Sequence, residues 1–272
     1  LAIGSFLNVV IYRVPRHESV VRPGSHCPSC GTALKPWHNV PVFSWLALHG
    51  KCAFCDAAIS ARYPLVEAST AVLFAAMTLR FGLHLELPAY LFLVMVGLTL
   101  SMIDIDRQQL PNPIVLPSYV IAISLLMPAG AVYGDWFSAA RALAGMVALA
   151  AISLVLSAAY PNGLDAGDVK VAGLVGLYLG WISWAAVFVG AVGGLVIGGL
   201  TGMVLSATRA GARVEAGVDV HGDGDGAGEP VRGSSSGAAM LAFAPCLLAA
   251  AVLTMFVSVP LGSWYSSLLA AT

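Results

Sequence analysis

Charged residues are scarce in this chain. Asp, Glu, Lys and Arg make up 10% of its 272 residues, whereas a typical soluble domain carries about 25%. The hydrophobic share is 58% and the mean hydropathy is +0.86. A net charge of -1 without a long basic run gives no indication of nucleic-acid binding. The composition therefore excludes an ordinary soluble domain and predicts an integral membrane protein whose surroundings are a lipid bilayer.

Long apolar runs are spread over most of the chain, which favours one all-α polytopic bundle. A helix needs roughly 20 apolar residues to cross the hydrocarbon core. The first run begins at Leu1 and lacks the charged start of a signal peptide, so we interpret it as the truncated end of a first membrane helix. About eight transmembrane helices are predicted, at residues 1–12, 63–81, 87–103, 113–132, 136–160, 169–180, 181–207 and 238–259.

The basic residues predict an orientation. With eight crossings, nearly all Lys and Arg fall in loops on one side, and only Arg80 and Arg141 lie near the other face. By the positive-inside rule the basic side is cytoplasmic. The same parity places Asp104, after the third run, and Asp168, before the sixth, on this cytoplasmic side.

The first loop, residues 13–62, is too long and too polar to be a plain connection. It contains Cys27 and Cys30 in CPSC, and Cys52 and Cys55 in CAFC. Two such pairs offer four thiolates to one tetrahedral ion, which predicts a structural zinc site in a small zinc-ribbon-like domain. Two disulfides are the alternative, which a reducing cytoplasm disfavours. Cys246 stands alone in an apolar run and is interpreted as a buried hydrophobe.

Acidic residues stand at the ends of two apolar runs. Asp104 and Asp106 lie in SMIDIDRQQLPN, and Asp168 lies in PNGLDAGDVK. Ionisable groups at a membrane are costly and therefore suggest a functional site. Two adjacent carboxyls can divide the work of hydrolysis, one as general acid and one as the group that activates water. The residues alone leave three interpretations open: an aspartyl protease, a proton or ion pathway, and plain solvation of helix ends.

Ordered motifs run through nearly the whole chain. They are SFLNVVIYRVP (5–15), CPSC, PWHNVPVFSWL (36–46), GKCAFC, ISARYPLVE (59–67), MIDIDRQQLPN, GLDAGDVKVAG (163–173) and AFAPCLLAA (242–250). In this order they resemble the bacterial type IV prepilin peptidases, a group of GxGD-type aspartic intramembrane proteases. Several motifs at matching intervals are much more specific than any one of them.

The resemblance implies roles for individual acids. Asp104, seven residues before Pro111, matches the first catalytic aspartate of the family, and Asp168, directly after Gly167, matches the second. Asp106, two residues further on in the same motif, is interpreted as a neighbour of the pair, with the alternative that it is itself the partner of Asp168.

One position departs from the GxGD pattern. Asp165 replaces the first glycine of the motif, which puts the backbone freedom of that position in doubt. Its carboxyl would either act on Asp168 or face water, and we expect the second. Lys170 would hold a nearby carboxylate charged or lie on the surface.

The resemblance also implies a function. The substrates would be type IV prepilins or type II secretion pseudopilins, cut at the cytoplasmic face of the bacterial inner membrane. Relatives with the cysteine loop commonly also methylate the new N-terminal residue with S-adenosylmethionine. Gly50 matches a family glycine that is tied to this second activity.

The predicted organisation has three parts: a truncated first helix (1–12), a four-cysteine zinc domain (13–62) and a membrane peptidase domain (63–272) with a flexible loop at 207–237. The alternatives are a peptidase without methyltransferase activity, an ion or proton transporter, and a non-catalytic assembly scaffold. A transporter would usually place its acids near the midplane of the bilayer.

Overall fold

The protein is helical throughout its described part. The computed structural model describes residues 1–159, 164–216 and 242–270, and within these it contains isolated β-bridges but no β-strand. Two short 3-10 turns lie at Val14–Arg16 and Pro36–Asn39. The α-helices of this part are α1 (Ala2–Arg13), α2 (Phe43–Ala47), α3 (Arg62–Phe81), α4 (Leu87–Arg107), α5 (Asn112–Tyr133), α6 (Trp136–Ala159), α7 (Ala166–Ile182), α8 (Trp184–Ala216) and α9 (Phe243–Ala270).

A helix lies at each of the eight predicted apolar runs. Among the described residues, five helices are long and apolar enough to cross a membrane, namely α3, α4, α5, α6 and the first 25 residues of α8, and a shorter apolar helix spans Phe243–Val257. The predicted class of an all-helical, multi-pass membrane protein is therefore confirmed. The count of eight crossings stays a prediction.

Two predicted boundaries are wrong. The flexible loop was expected to begin at Ala207, but α8 continues to Ala216, because this stretch consists largely of strong helix formers such as Ala and Arg even though its apolar run has ended. Likewise α9 continues to Ala270, beyond the predicted end at 259. The rest of the predicted loop, residues 217–237, and the predicted helix start at 238 lie outside the described residues.

Helix α7 lies at the centre of the bundle. Every residue from Val171 to Trp181 is buried. It packs backbone to backbone against α6: a Cβ added at Gly145 would lie 2.7 Å from the carbonyl oxygen of Gly176, and one added at Gly180 would lie 2.7 Å from the carbonyl oxygen of Arg141. Small residues permit this close approach. At 17 residues α7 is short for a crossing helix, so it depends on these neighbours.

The two ends of α7 contact different helices. At its C-terminal end the indole N–H of Trp181 donates to Glu86 Oε1 at 3.3 Å, which joins it to the start of α4. Because α4 and α7 therefore run antiparallel, the end of α4 and the start of α7 meet at the opposite face of the bundle. This arrangement places Asp104 and Asp168 on the same face.

Candidate active site and four-cysteine cluster

Asp104 and Asp168 are buried side by side. Asp104 is in the last turn of α4 and 5% exposed, and Asp168 is in the first turn of α7 and 4% exposed. The N–H of Ala244, at the start of α9, donates to Asp104 Oδ2 at 3.2 Å and also faces the Asp168 carboxyl, and the two acids interact electrostatically. Three helices therefore bring the two sequence-predicted acids to one place.

Asp168 keeps one oxygen free of protein donors. Its Oδ2 accepts the N–H of Asp165 at 3.1 Å, whereas its Oδ1 is buried and has no hydrogen-bond partner among the described residues. A buried oxygen without a partner is costly unless water or a ligand binds it. This oxygen is therefore the acceptor available to an incoming molecule.

Asp165 caps the helix that carries Asp168. The two residues form a reciprocal capping box at the start of α7, which satisfies N–H groups that have no partner inside the helix. Asp165 has φ -90° and ψ 162°, an extended conformation that any residue adopts. Its side chain is exposed, as expected, but it also interacts electrostatically with Asp168, which was the alternative. The backbone freedom of a glycine is not needed there. Sequence reasoning missed the cap, although an acid three residues before another at a helix start is a recognisable capping pattern.

Gly167 allows the two acidic segments to approach each other. A Cβ added at Gly167 would lie 2.9 Å from Leu110 Cβ and 3.0 Å from Leu110 Cδ1. Leu110 belongs to the connection between α4 and α5, directly after the segment of Asp104. The glycine of the motif is therefore explained by contact with Leu110.

The neighbouring charged residues face away from the acid pair. Asp106 forms an ion pair with Arg62 at 2.6 Å, and the Arg62 Nη2 also donates to the Met102 carbonyl at 3.2 Å. Lys170 Nζ donates to Asn112 Oδ1 at 2.7 Å. These bonds hold α3 and α5 beside the site. Sequence reasoning did not single out Arg62 or Asn112 for these roles, although both stand in quoted motifs.

The four cysteines of the first loop converge. The sulfur atoms of Cys27, Cys30, Cys52 and Cys55 all lie within 4.8 Å of one another, and no cysteine of the described chain forms a disulfide. Each pair sits in an equivalent turn: the N–H of Cys27 donates to the Thr32 carbonyl at 3.0 Å, and the N–H of Cys52 donates to the Ala57 carbonyl at 2.9 Å. Two matching turns thus present four thiols to a common point.

The cluster fits a tetrahedral ion. Zn–S bonds of about 2.3 Å place the sulfurs of a tetrahedral site about 3.8 Å apart, and Cys27 Sγ lies 3.8 Å from Cys55 Sγ. The hydrogen bond from Ala57 lowers the pKa of Cys55, but burial and the three neighbouring thiols together raise it to about 12. A divalent cation would remove this conflict, because it stabilises four thiolates at once.

Gly50 serves the shape of the cysteine loop. It adopts φ +70°, and a Cβ there would lie 2.9 Å from Trp45 Cζ2. The Trp45 indole N–H in turn donates to the Ile59 carbonyl at 3.0 Å. Both the backbone conformation and the aromatic contact therefore require glycine at this position.

Glu67 joins the cysteine loop to the helical bundle. It is buried in α3, and its Oε2 accepts the N–H of Val42 at 2.7 Å. Gly4 of α1 also lies against the backbone of Glu67. Sequence reasoning did not single out Glu67 for this role, although it ends the quoted motif ISARYPLVE.

Comparison with known proteins is consistent with this geometry. Residues 1–81 match the model of the bacterial peptidase A24 N-terminal domain, and residues 91–271 match that of the type IV leader peptidase family. Proteins named "Prepilin leader peptidase/N-methyltransferase" are 40% identical over 219 residues in Myxococcus xanthus (79% of this chain), 34% over 206 residues in Pseudomonas aeruginosa (66%) and 36% over 192 residues in Bacillus subtilis (69%). The chain spans 64%, 70% and 74% of these relatives. No solved structure compared with the chain matches it significantly.

Proposed function

Because this chain belongs to the type IV leader peptidase family, we propose that it removes the leader of type IV prepilins or type II secretion pseudopilins by aspartic peptidase chemistry. The match over residues 91–271 and the names of the relatives support this activity. The observation that carries it is the burial of Asp104 and Asp168 beside the shared N–H of Ala244. The family expected from the motifs is confirmed, and the roles of the two acids are our proposal.

The pair can hydrolyse a peptide bond without a covalent intermediate. Two buried carboxyls that interact electrostatically do not both ionise readily, so one keeps a proton and the titration belongs to the pair. The ionised carboxylate takes a proton from a water molecule, which attacks the scissile carbonyl carbon. The protonated carboxyl donates its proton to the carbonyl oxygen, which gives a tetrahedral diol. The carboxyl that took the proton from water then donates it to the nitrogen, the other carboxylate takes a proton from a hydroxyl of the diol, and the C–N bond breaks to give an amine and a carboxylic acid.

We propose that a zinc ion occupies the four-cysteine cluster and that it folds the loop. Four thiolates fill a tetrahedral shell, so the ion has no open position for catalysis.

Methylation of the new N-terminal residue is supported by the names of the relatives, and S-adenosylmethionine would supply the methyl group. Gly50 would support methyl transfer through the shape of the loop around Trp45, and we assign no residue to binding of the methyl donor.

The topology and domain boundaries are part of the same proposal. All eight apolar helices would cross the bacterial inner membrane, with residues 1–12 in the first of them, 13–62 as a cytoplasmic domain and 63–272 as the peptidase domain. The basic residues of the first loop support a cytoplasmic position for the acid pair. The Arg62–Asp106 ion pair supports it too, because it joins the end of that loop to the last turn of α4.

The decisive experiment compares single acid variants in liposomes. Asp104→Asn and Asp168→Asn are expected to lose detectable cleavage of a reconstituted pilin precursor, while zinc content and melting temperature stay at the wild-type level. Asp106→Asn is the matched control, because its carboxyl pairs with Arg62 at the surface, and it should retain cleavage. Normal cleavage by either of the first two variants would reject the acid pair, and a non-catalytic scaffold would tolerate both.

Methyl transfer needs a separate measurement. Wild type supplied with isotopically labelled S-adenosylmethionine should add one labelled methyl group to the N-terminus of the mature pilin, as seen by mass spectrometry. Complete cleavage without label would leave the peptidase proposal intact and reject the methyltransferase part.

A further inference from the structure

The four-cysteine domain carries an exposed apolar face. Trp37, Phe43 and Leu46 expose 63%, 63% and 57% of their surface, and Val40 between them exposes 44%. Phe43 and Leu46 are three residues apart in α2 and therefore share one side of it. We call these four residues the loop apolar face. Exposed aromatic and aliphatic groups at this density indicate a binding surface.

The other side of α2 is used within the domain. The Ser44 hydroxyl donates to the Trp37 carbonyl at 2.9 Å, and the Trp45 indole donates to the Ile59 carbonyl at 3.0 Å. The inward residues thus have partners in the loop, while Phe43 and Leu46 point out of it. The orientation of the face is therefore fixed by the fold of the loop.

The height of α2 relative to the bundle is fixed by Glu67. Its carboxylate accepts the N–H of Val42, the residue directly before α2. Glu67 lies five residues after Arg62, where the membrane-crossing candidate α3 begins, which is about 7.5 Å along the helix axis at 1.5 Å per residue. Phe43, the residue after Val42, therefore lies near the level of the second turn of α3, where Leu65 is also exposed.

Aromatic and cationic side chains are paired at the same end of the bundle. Lys35 Nζ lies 5.4 Å from the centre of the Trp37 ring, and the Arg16 guanidinium lies 3.8 Å from the centre of the exposed Tyr12 ring. Aromatic rings with neighbouring Lys or Arg are typical of the boundary between lipid headgroups and acyl chains, where the cations meet phosphates.

We propose that the loop apolar face inserts into the headgroup region of the membrane on the side of the acid pair, so that the partner of this surface is the lipid bilayer itself. Lys35 and Arg16 would then lie among lipid phosphates. The four-cysteine domain would be held flat against the bilayer at three points: the end of α1, the start of α3 and this face. The proposal does not depend on peptidase activity.

Depth-dependent quenching tests the proposal in the full chain. A fluorescent amino acid is placed at position 43 in one protein and at position 21 in another, each reconstituted in liposomes of phosphatidylethanolamine and phosphatidylglycerol. Val21 is the matched control, because it is an exposed apolar residue of the same loop outside the face. Phospholipids with a doxyl group near the head should quench position 43 several-fold more than position 21, and aqueous iodide should show the reverse. Equal iodide quenching at both positions would overturn the proposal.

A second arm separates lipid from protein contact. The same liposomes are prepared at increasing protein-to-lipid ratio, and zinc content is measured to verify that the labelled loop is folded. Protection of position 43 that is constant across the ratios supports a lipid partner. Protection that appears only at high protein density would mean that a second copy covers the face, and it would overturn the proposal.

Discussion

Replacement of Gly167 by Ala is expected to slow cleavage because it separates the two acidic segments. The φ of Gly167 is outside the left-handed region, so the change causes no backbone strain, but the new Cβ would lie 2.9 Å from Leu110 Cβ. Ordinary contacts begin at 3.4 Å, so Leu110 or α7 must shift by about half an ångström. Overpacking of this kind costs about 1–3 kcal/mol. A misplacement of about 1 Å can cost about 10²-fold in rate, so we expect about a tenfold loss here.

The collision with Leu110 Cβ can be tested by a second substitution at Leu110 that restores cleavage. Because the closest atom is Leu110 Cβ, the second change Leu110→Gly removes the collision, whereas Leu110→Ala retains it. Gly199→Ala is the matched control, since a Cβ there meets nothing within 4 Å, and it should leave cleavage unchanged. The assay is initial-rate cleavage of a pilin precursor, with kcat and KM determined separately and melting temperature recorded. Wild-type kcat in Gly167→Ala, or rescue by Ala but not by Gly at position 110, would refute the steric argument.

Three further outcomes are expected. Cys27→Ser should reduce bound zinc from one ion per chain to a small fraction while leaving α3 to α7 folded, as read by metal analysis and circular dichroism; full zinc retention would contradict a four-thiolate site. Glu67→Ala should cost about 1–3 kcal/mol because it leaves the N–H of Val42 without an acceptor, whereas Glu67→Gln should cost less; equal proteolysis of the loop in both variants would argue against this bond. Hydrogen bonds from the Ser138 hydroxyl and N–H lower the pKa of Asp135 in the folded protein. The stability that ionised Asp135 gives the folded state is therefore complete above the unfolded pKa of about 3.9, and it is lost as the pH falls through the lower pKa of the folded state. The melting temperature of wild type should exceed that of Asp135→Asn at about pH 6 and approach it at about pH 3; a constant difference would contradict the assignment.

Sequence reasoning recovered features that depend on composition or on spacing. Apolar runs located the helices because a membrane-crossing helix needs a minimum apolar length. The order of motifs identified the family. The boundary at Ala207 was wrong because a helix does not stop where its apolarity stops; helix propensity in the following residues carried it on. The count of crossings is still a prediction because α7 is shorter than a crossing helix and is supported by its neighbours.

Two contacts between distant segments had no sequence pattern that would predict them. The bond between Glu67 and Val42 joins residues of a loop and a helix with no pattern linking them. The collision that requires glycine at 167 depends on where Leu110 lies in three dimensions. Local geometry was more accessible: the capping role of Asp165 needs only residues three apart, and a search for capping boxes would have found it.

The donor that reaches Asp104 has a practical consequence for mutagenesis. It is the peptide nitrogen of Ala244, so an alanine scan cannot delete it, and only proline would. The position of this nitrogen depends on how α9 packs against α8, where Gly194 and Gly198 leave room for Leu247 and Phe243. Bulkier residues at those two glycines would press on Leu247 and Phe243, and therefore on the start of α9 that carries this nitrogen. Substitutions within the helix pair α8 and α9 thus reach the acid pair without changing either carboxyl.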